Sequence, residues 1–396
     1  MKKICVVTGS RADYGLLQRL MRKLQHSSVC ELQVVATGMH LSSEFGATWR
    51  AIESDGFTID WKVDMLLSAD TPVSITKSVG IGVTGFADAY HNLKPDLIIL
   101  LGDRFEILSA AIAATMSCVP IAHLHGGEVT LGSIDDTLRH SITKMSHLHL
   151  TAAEVYRQRV IQLGENPDTV WNVGGFGVDV AVHAQLLEKG DLEEVLGLPL
   201  GDKSLAITFH PETGSLTDSI EKQATELLAA VAGIDAQLVF TMPNADAGGR
   251  VLFELIQSFV QENRDRACVH ASLGTQAYLS LLSMCSGVVG NSSSGLLEAP
   301  AFGVGTVNIG SRQCGRLKAS SVVDCAPERG SIRAAIAQIL DPGIRSGKSL
   351  GIDAPYGKGG AAERAVSIIE SWQPRTTNKK FFDISSDFVE AREALR

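Results

Sequence analysis

The chain has 396 residues, too many for one small domain, and its 45% hydrophobic content supplies apolar side chains for at least two cores. A net charge of −9 argues against general nucleic-acid binding, which requires a basic patch. No apolar run approaches the roughly 20 residues of a membrane helix, so a membrane partner is not expected.

Met-Lys-Lys leads directly into an apolar run with no signal-peptide cleavage pattern, which predicts a cytoplasmic protein. Strands are predicted at 3–8, 31–37, 58–63, 96–101, 119–124, 147–151 and 169–173. Helices are predicted at 13–25, 44–54, 73–92, 104–117, 136–146 and 153–164. Several strands are apolar on both faces, as in a parallel sheet covered by helices. The rhythm returns with strands at 204–209, 236–241, 266–270, 286–290 and 304–309. The matching helices lie near 219–233, 248–262, 274–284, 294–301 and 329–340. Right-handed crossovers make each half a doubly wound α/β layer structure. Two Rossmann-like domains facing across a cleft are therefore expected, 1–174 and 175–360, with a hinge at Gly174-Gly175-Phe176-Gly177. The helix at 361–373 and the polar tail to 396 are expected to pack back on the first domain. The seven cysteines are scattered, odd in number and never in Cys-x-x-Cys spacing, as for reduced core thiols.

Two consecutive strands end in ionisable residues backed by glycine. Asp96-Leu-Ile-Ile-Leu-Leu101 stops at Gly102-Asp103-Arg104-Phe105-Glu106. Val119-Pro-Ile-Ala-His-Leu124 stops at His125-Gly126-Gly127-Glu128, and Ile134-Asp135-Asp136 opens the next helix. Ligands bind at the carboxyl ends of strands in open parallel sheets. Asp103, His123, His125, Glu128, Asp135 and Asp136 thus surround one edge and predict acid–base chemistry. The alternative for any one of them is a solvated loop charge or, for Asp135, a helix cap.

A phosphate end is predicted in the second half. Gly287-Val-Val-Gly290 is followed by Asn291-Ser292-Ser293-Ser294-Gly295, where hydroxyls and backbone N–H groups at a helix start suit an anion. Glu298, one turn on, is placed to accept from a pair of ribose hydroxyls, which suggests a nucleoside diphosphate. Thr8-Gly9-Ser10-Arg11-Ala12-Asp13-Tyr14-Gly15 offers a second glycine-bearing turn, with Arg11 as a phosphate contact or a plain surface residue. Gly80-Ile-Gly82-Val-Thr-Gly85 fits a dinucleotide fingerprint but sits inside a helical stretch, where glycines serve close packing. His123-Leu-His125 has the spacing of a metal pair, with Asp103 and Glu128 as further ligands, although a solvated acid–base set is the stronger reading.

Assembled, these motifs resemble a bacterial hydrolysing UDP-N-acetylglucosamine 2-epimerase of the sialic-acid pathway. The resemblance runs nearly end to end. It is carried by the Thr8–Gly15 start, Leu101-Gly102-Asp103-Arg104, His123–Glu128, Ile134-Asp135-Asp136 through Arg139-His140, and Ser146–His149. Phe209-His210-Pro211-Glu212-Thr213 and Gly290–Gly295 complete it. It implies the GT-B-like architecture, with UDP bound mainly to the second domain. It also implies catalytic roles for Asp103, Asp135 and His210, and ligand contacts for Arg11, Arg139, Ser292, Ser293, Ser294 and Glu298. One departure stands out: related epimerases carry a glutamate where this chain has His125. Either Glu128 or His125 can take over that proton transfer, and the sequence leaves both open.

The implied reaction removes the C2 proton as UDP leaves C1, giving 2-acetamidoglucal. Water then adds at C1 and a proton returns to C2 on the opposite face, yielding N-acetylmannosamine for sialic-acid or other nonulosonic-acid surface polysaccharides. No cofactor, metal or covalent nucleophile is required. The expected partners are a UDP-sugar and further copies of the chain, as a dimer or tetramer. The same chemistry on UDP-2,4-diacetamido-2,4,6-trideoxyglucose is an alternative, and a GT-B glycosyltransferase is another.

Overall fold

The computed structural model describes residues 1–69, 71–130, 134–210, 220–242, 249–271, 273–341, 354–373 and 379–384. The expected Pro211-Glu212-Thr213 contribution lies outside the described residues. The chain divides into two compact units. The first comprises Met1–Glu128, Ile134–Phe176 and Gly360–Arg396, and the second comprises Val129–Ser133 and Gly177–Gly359.

The first unit holds seven strands: β1 (Lys2–Thr8), β2 (Cys30–Thr37), β3 (Trp61–Val63), β4 (Leu97–Leu101), β5 (Ile121–Leu124), β6 (Leu148–Thr151) and β7 (Val170–Asn172). They pair in the order β3-β2-β1-β4-β5-β6-β7, and every pairing is parallel. The continuous apolar runs have a direct cause. Ile4, Val6, Leu97 and Ile99 enter one core, under helices 11–25 and 361–371, while Cys5, Val7, Ile98 and Leu100 enter another, under helices 72–93 and 105–116. Burial on both faces demands apolar residues at every position rather than at alternate ones. Gly82 and Gly85 permit the tight packing of helix 72–93. A Cβ on Gly82 would stand 2.8 Å from Met65 Cε, and one on Gly85 would stand 2.7 Å from Val63 Cγ1.

Helix Ala361–Ser371 returns to this unit, burying Ala361, Ala362, Ala365, Val366 and Ile369. The Lys2 ammonium donates to three carbonyls at its carboxyl end: Ile369 O at 3.0 Å, Glu370 O at 3.2 Å and Trp372 O at 2.5 Å. A cation there satisfies orphan carbonyls and complements the negative end of the helix dipole. Arg364 donates to Val173 O through Nε at 2.9 Å and Nη2 at 2.6 Å.

The second unit holds β8 (Ser204–Thr208), β9 (Gln237–Thr241), β10 (Ala267–His270), β11 (Gly287–Gly290), β12 (Thr306–Ile309) and β13 (Val322–Cys325). The order is β10-β9-β8-β11-β12-β13, again parallel throughout. Leu205, Ile207 and Phe240 face one core, and Ala206, Val239 and Val288 face the other. Both sheets are thus doubly wound. The winding reverses between β1 and β4 in the first and between β8 and β11 in the second, the positions where such sheets open for ligands.

The elements differ from the sequence expectation in a few places. Strand β13 was not expected: its Val-Val-Asp-Cys run is short and carries a charge, which only an edge position tolerates. Helices Phe176–Val182 and Lys189–Leu196 were not expected, and the first begins within the expected hinge. The helix expected at 294–301 is one α-turn, Ser294–Leu297, followed by a 3-10 turn, Ala299–Phe302. Pro300 lacks the N–H that the α-ladder needs there.

Candidate active site

At the carboxyl end of β4, Gly102 adopts φ +77°, which a glycine accommodates freely. The buried His123 ring on β5 holds this turn. Its Nε2–H donates to Gly102 O at 2.8 Å, and Thr143 Oγ1 donates to its Nδ1 at 3.1 Å. Burial pushes His123 down to about 3, so it is a neutral strut. Asp103 follows, and its Oδ2 is ion-paired with Arg139 Nη2. Arg139 is only 1% exposed and also donates through Nη1 to Glu128 O at 2.9 Å and to Asp136 Oδ1 at 3.1 Å. One guanidinium therefore ties the β4 turn, the β5 turn and the helix Ile134–Met145 together. These hydrogen bonds of its head group go to protein acceptors. Asp135 lies half-buried in the first turn of that helix.

His125 leaves the strand geometry at once. Its φ is +62°, a conformation uncommon for a residue with a side chain. Both ring nitrogens of His123 are engaged, by Gly102 O and Thr143 Oγ1, while His125 has other partners. His125 Nδ1 lies 2.8 Å from Glu128 Oε1, and Phe176 N–H donates to His125 Nε2 at 3.3 Å. An accepting Nε2 places the imidazole proton on Nδ1, facing the carboxylate. Both side chains are buried, so the two alternatives left open for the missing glutamate are one coupled pair. Among the described residues no group of three or more His, Cys, Asp or Glu could hold a metal ion.

Arg11 opens helix Arg11–Gln25 at the end of β1, exposed, with Ser10 as its N-cap.

In the second unit, Gly290 at the end of β11 has φ +143°, and a Cβ there would stand 1.8 Å from Thr208 O. Only glycine lets the β8 and β11 ends approach so closely. Asn291 exploits this approach. Its Oδ1 accepts from His210 N at 2.7 Å and its Nδ2 donates to His210 O at 2.8 Å, so its amide fixes the His210 backbone. Burial, with Arg312 adding to it, pushes His210 down to about 3 and keeps the ring neutral. Ser292, Ser293 and Ser294 are half-buried on the next turn, where Ser294 Oγ is 2.8 Å from Tyr278 OH. Glu298 ends the short helix, its N–H donating to Ser294 O at 3.0 Å. A four-residue helix has little macrodipole, so any anion here is met by local N–H and hydroxyl groups.

The description UDP-N-acetylglucosamine 2-epimerase matches residues 22–370 of this chain. The chain belongs to the UDP-N-acetylglucosamine 2-epimerase family. A Campylobacter jejuni relative, named GDP/UDP-N,N'-diacetylbacillosamine 2-epimerase (hydrolyzing), is 41% identical over 324 residues, 82% of this chain and 84% of the relative. The polysialic acid biosynthesis protein P7 of Escherichia coli is 39% identical over 388 residues, 97% of this chain and 98% of the relative. The solved UDP-GlcNAc 2-epimerase of Neisseria meningitidis, bound to UDP-GlcNAc, has a TM-score of 0.80 at 16% identity, covering 93% of this chain and 99% of that one. At that identity the likeness concerns the fold, which is the two-unit α/β architecture expected from the sequence.

Several residues around these strand ends escaped the sequence reading. Arg312 and Gln313 follow β12 and donate to Asn291 O, through Arg312 Nη1 at 3.1 Å and Gln313 Nε2 at 2.8 Å. Their signal was present in Gly310-Ser311-Arg312-Gln313, another glycine-led turn at a strand end. Asn291 was visible only as part of the serine turn. Asp13 lies in the first turn of helix Arg11–Gln25, its backbone N–H donating to Ser10 Oγ at 3.3 Å.

Proposed function

We propose that this enzyme converts UDP-N-acetylglucosamine and water to N-acetylmannosamine and UDP. The observation that carries this reading is the presence of two separate proton-handling groups on adjacent strand ends. Asp103 is an ion-paired carboxylate after β4, while His125 and Glu128 form a buried pair after β5. A reaction that removes the C2 proton from one face and returns a proton on the other needs two such groups.

The steps balance as follows. A base takes the C2 proton, the C2–H electrons form the C1=C2 bond, and the C1–O bond breaks to release UDP. Water then gives hydroxyl to C1, and an acid gives a proton to C2 on the opposite face. In this scheme Asp103 and Asp135 serve one face. Glu128, oriented by His125, serves the other in place of the family's glutamate. Arg139 acts through Asp103 as a positioning residue. On the second unit the neutral His210, with Ser292, Ser293 and Ser294, offers hydrogen bonds to the leaving diphosphate. Glu298 accepts from the ribose hydroxyls.

A second substrate has a specific observation in its favour: the relative that is 41% identical is named for diacetylbacillosamine. The chemistry at C1 and C2 is the same for both sugars. The experiment incubates the full chain with each UDP-sugar in D₂O and identifies the products by NMR and mass spectrometry. The expected result is a free manno-configured sugar carrying deuterium at C2. Product formed without deuterium at C2 refutes the elimination mechanism, and turnover of the diacetamido sugar alone reassigns the substrate.

A further inference from the structure

We propose that Asp13 is a further catalytic residue, the base that takes a proton from the water adding to C1 of the 2-acetamidoglucal; this role rests on the reaction proposed above. The placement is topological first. Asp13 sits on the turn after β1, and the Gly102–Glu106 turn follows β4, its direct neighbour in the sheet. These two turns flank the point where the winding reverses, and ligands enter such sheets there.

The charges facing Asp13 come from that second turn: Arg104, Glu106 and Asp103. Ser10 is its hydrogen-bond partner on its own turn. His40, on the turn after β2, is within 3.0 Å of Thr8 Oγ1 and is kept neutral by burial, which pushes it down to about 4. Glu106 is fully buried in a cradle of two glycines: a Cβ on Gly9 would stand 2.5 Å from its Cγ, and one on Gly38 would stand 3.5 Å from it. Arg104 Nε donates to Glu106 Oε1 at 2.6 Å, and the same guanidinium charge faces Asp13.

Two oxygens in this cluster are buried with no hydrogen-bond partner, Glu106 Oε2 and Asp13 Oδ2. A structural carboxylate satisfies its lone pairs, because each orphan costs free energy without return to the fold. Burial, together with Glu106 and Asp103, pushes Asp13 up to about 6. At neutral pH it is ionised, yet it holds a proton far better than an ordinary aspartate, as a base for water must. In the hydration step Asp13 Oδ2 takes one proton as the water oxygen bonds to C1. The C1=C2 electron pair takes a proton at C2 from the acid form of the Glu128–His125 pair, and Asp13 then returns its proton to solvent.

The test uses the full chain, UDP-N-acetylglucosamine as the probe, and product identification by NMR across pH 5–8. For Asp13→Asn we expect N-acetylmannosamine formation to fall about 100-fold. UDP release should continue with 2-acetamidoglucal accumulating, and UDP affinity by calorimetry should stay within about twofold. The acid limb near pH 6 in kcat for N-acetylmannosamine formation should vanish in Asp13→Asn and return in Asp13→Glu. A folded Asp13→Asn enzyme that keeps this limb, or forms product within about threefold of wild type, overturns the proposal. If that variant does not fold, Glu106→Gln reads the same cluster: losing a like charge should move the limb to lower pH, and an unmoved limb is equally fatal. Wild-type enzyme that releases neither UDP nor sugar removes the reaction itself, and the role of Asp13 with it; loss confined to the variants does not.

Discussion

Replacing Asp13 with asparagine should make the first unit more stable, and by an amount that depends on pH. The Asp13 carboxyl is raised from 3.8 to about 6, chiefly by burial. A raised folded-state value means the folded protein binds the proton more tightly than the unfolded chain does. The stability this contributes is fully present below about 3.8 and is lost as pH rises through about 6. At about 1.4 kcal/mol per unit, the rise corresponds to about 3 kcal/mol at neutral pH. Asparagine does not ionise, so the variant avoids that penalty, less the cost of an amide group at the unsatisfied Oδ2 position. A net gain of about 1–3 kcal/mol at pH 7.5 should shrink toward zero at pH 4.5, or reverse there. Thermal unfolding of wild type and variant across that range, compared pairwise so that other titrating groups cancel, measures it. A shift of several degrees at pH 7.5 that fades on acidification is expected. A difference that is negative or constant with pH refutes the raised Asp13 carboxyl. Greater stability together with lower turnover is the mark of a group held for chemistry rather than for the fold.

Two further substitutions separate positioning from binding. Arg139→Lys keeps the charge but not the fork that reaches Asp103, Asp136 and Glu128 O, so turnover should fall at least about tenfold while calorimetric UDP affinity stays within about twofold. A weakened UDP complex with normal turnover would instead return Arg139 to the ligand. Glu298→Ala should weaken UDP binding by about 1–3 kcal/mol in calorimetry, and unchanged affinity in a folded variant counts against the ribose contact.

The sheet strands were legible because each faces two cores and so reads as an unbroken apolar run, which few other elements mimic. Their ends were legible too, since Gly102-Asp103 and Gly290-Asn291 join a φ-permissive residue to a polar one. Strand β13 escaped because an edge strand needs only one apolar face and can carry Asp324. What the sequence withheld was pairing. Arg139 meets Asp103 across 36 residues, and Asn291 grips His210 across 81. No periodicity encodes contacts that the sheet order creates. The coupling of His125 to Glu128 depends on a positive φ at a residue with a side chain, where propensity predicts none. Asp13 was quoted within its motif and passed over, because a first-turn acid ordinarily serves the helix dipole.

The Lys2 ammonium, closed over the end of a helix 367 residues away, sets an order of events during synthesis. Strand β1 leaves the ribosome early, yet one of its two cores stays only partly covered, by helix Arg11–Gln25, until Ala361–Ser371 has emerged. The second unit, whose strands lie within 204–325, can complete its own sheet in the meantime. The nascent chain therefore carries a finished second unit beside an open apolar face on the first, and that interval is when a chaperone would find the most to hold.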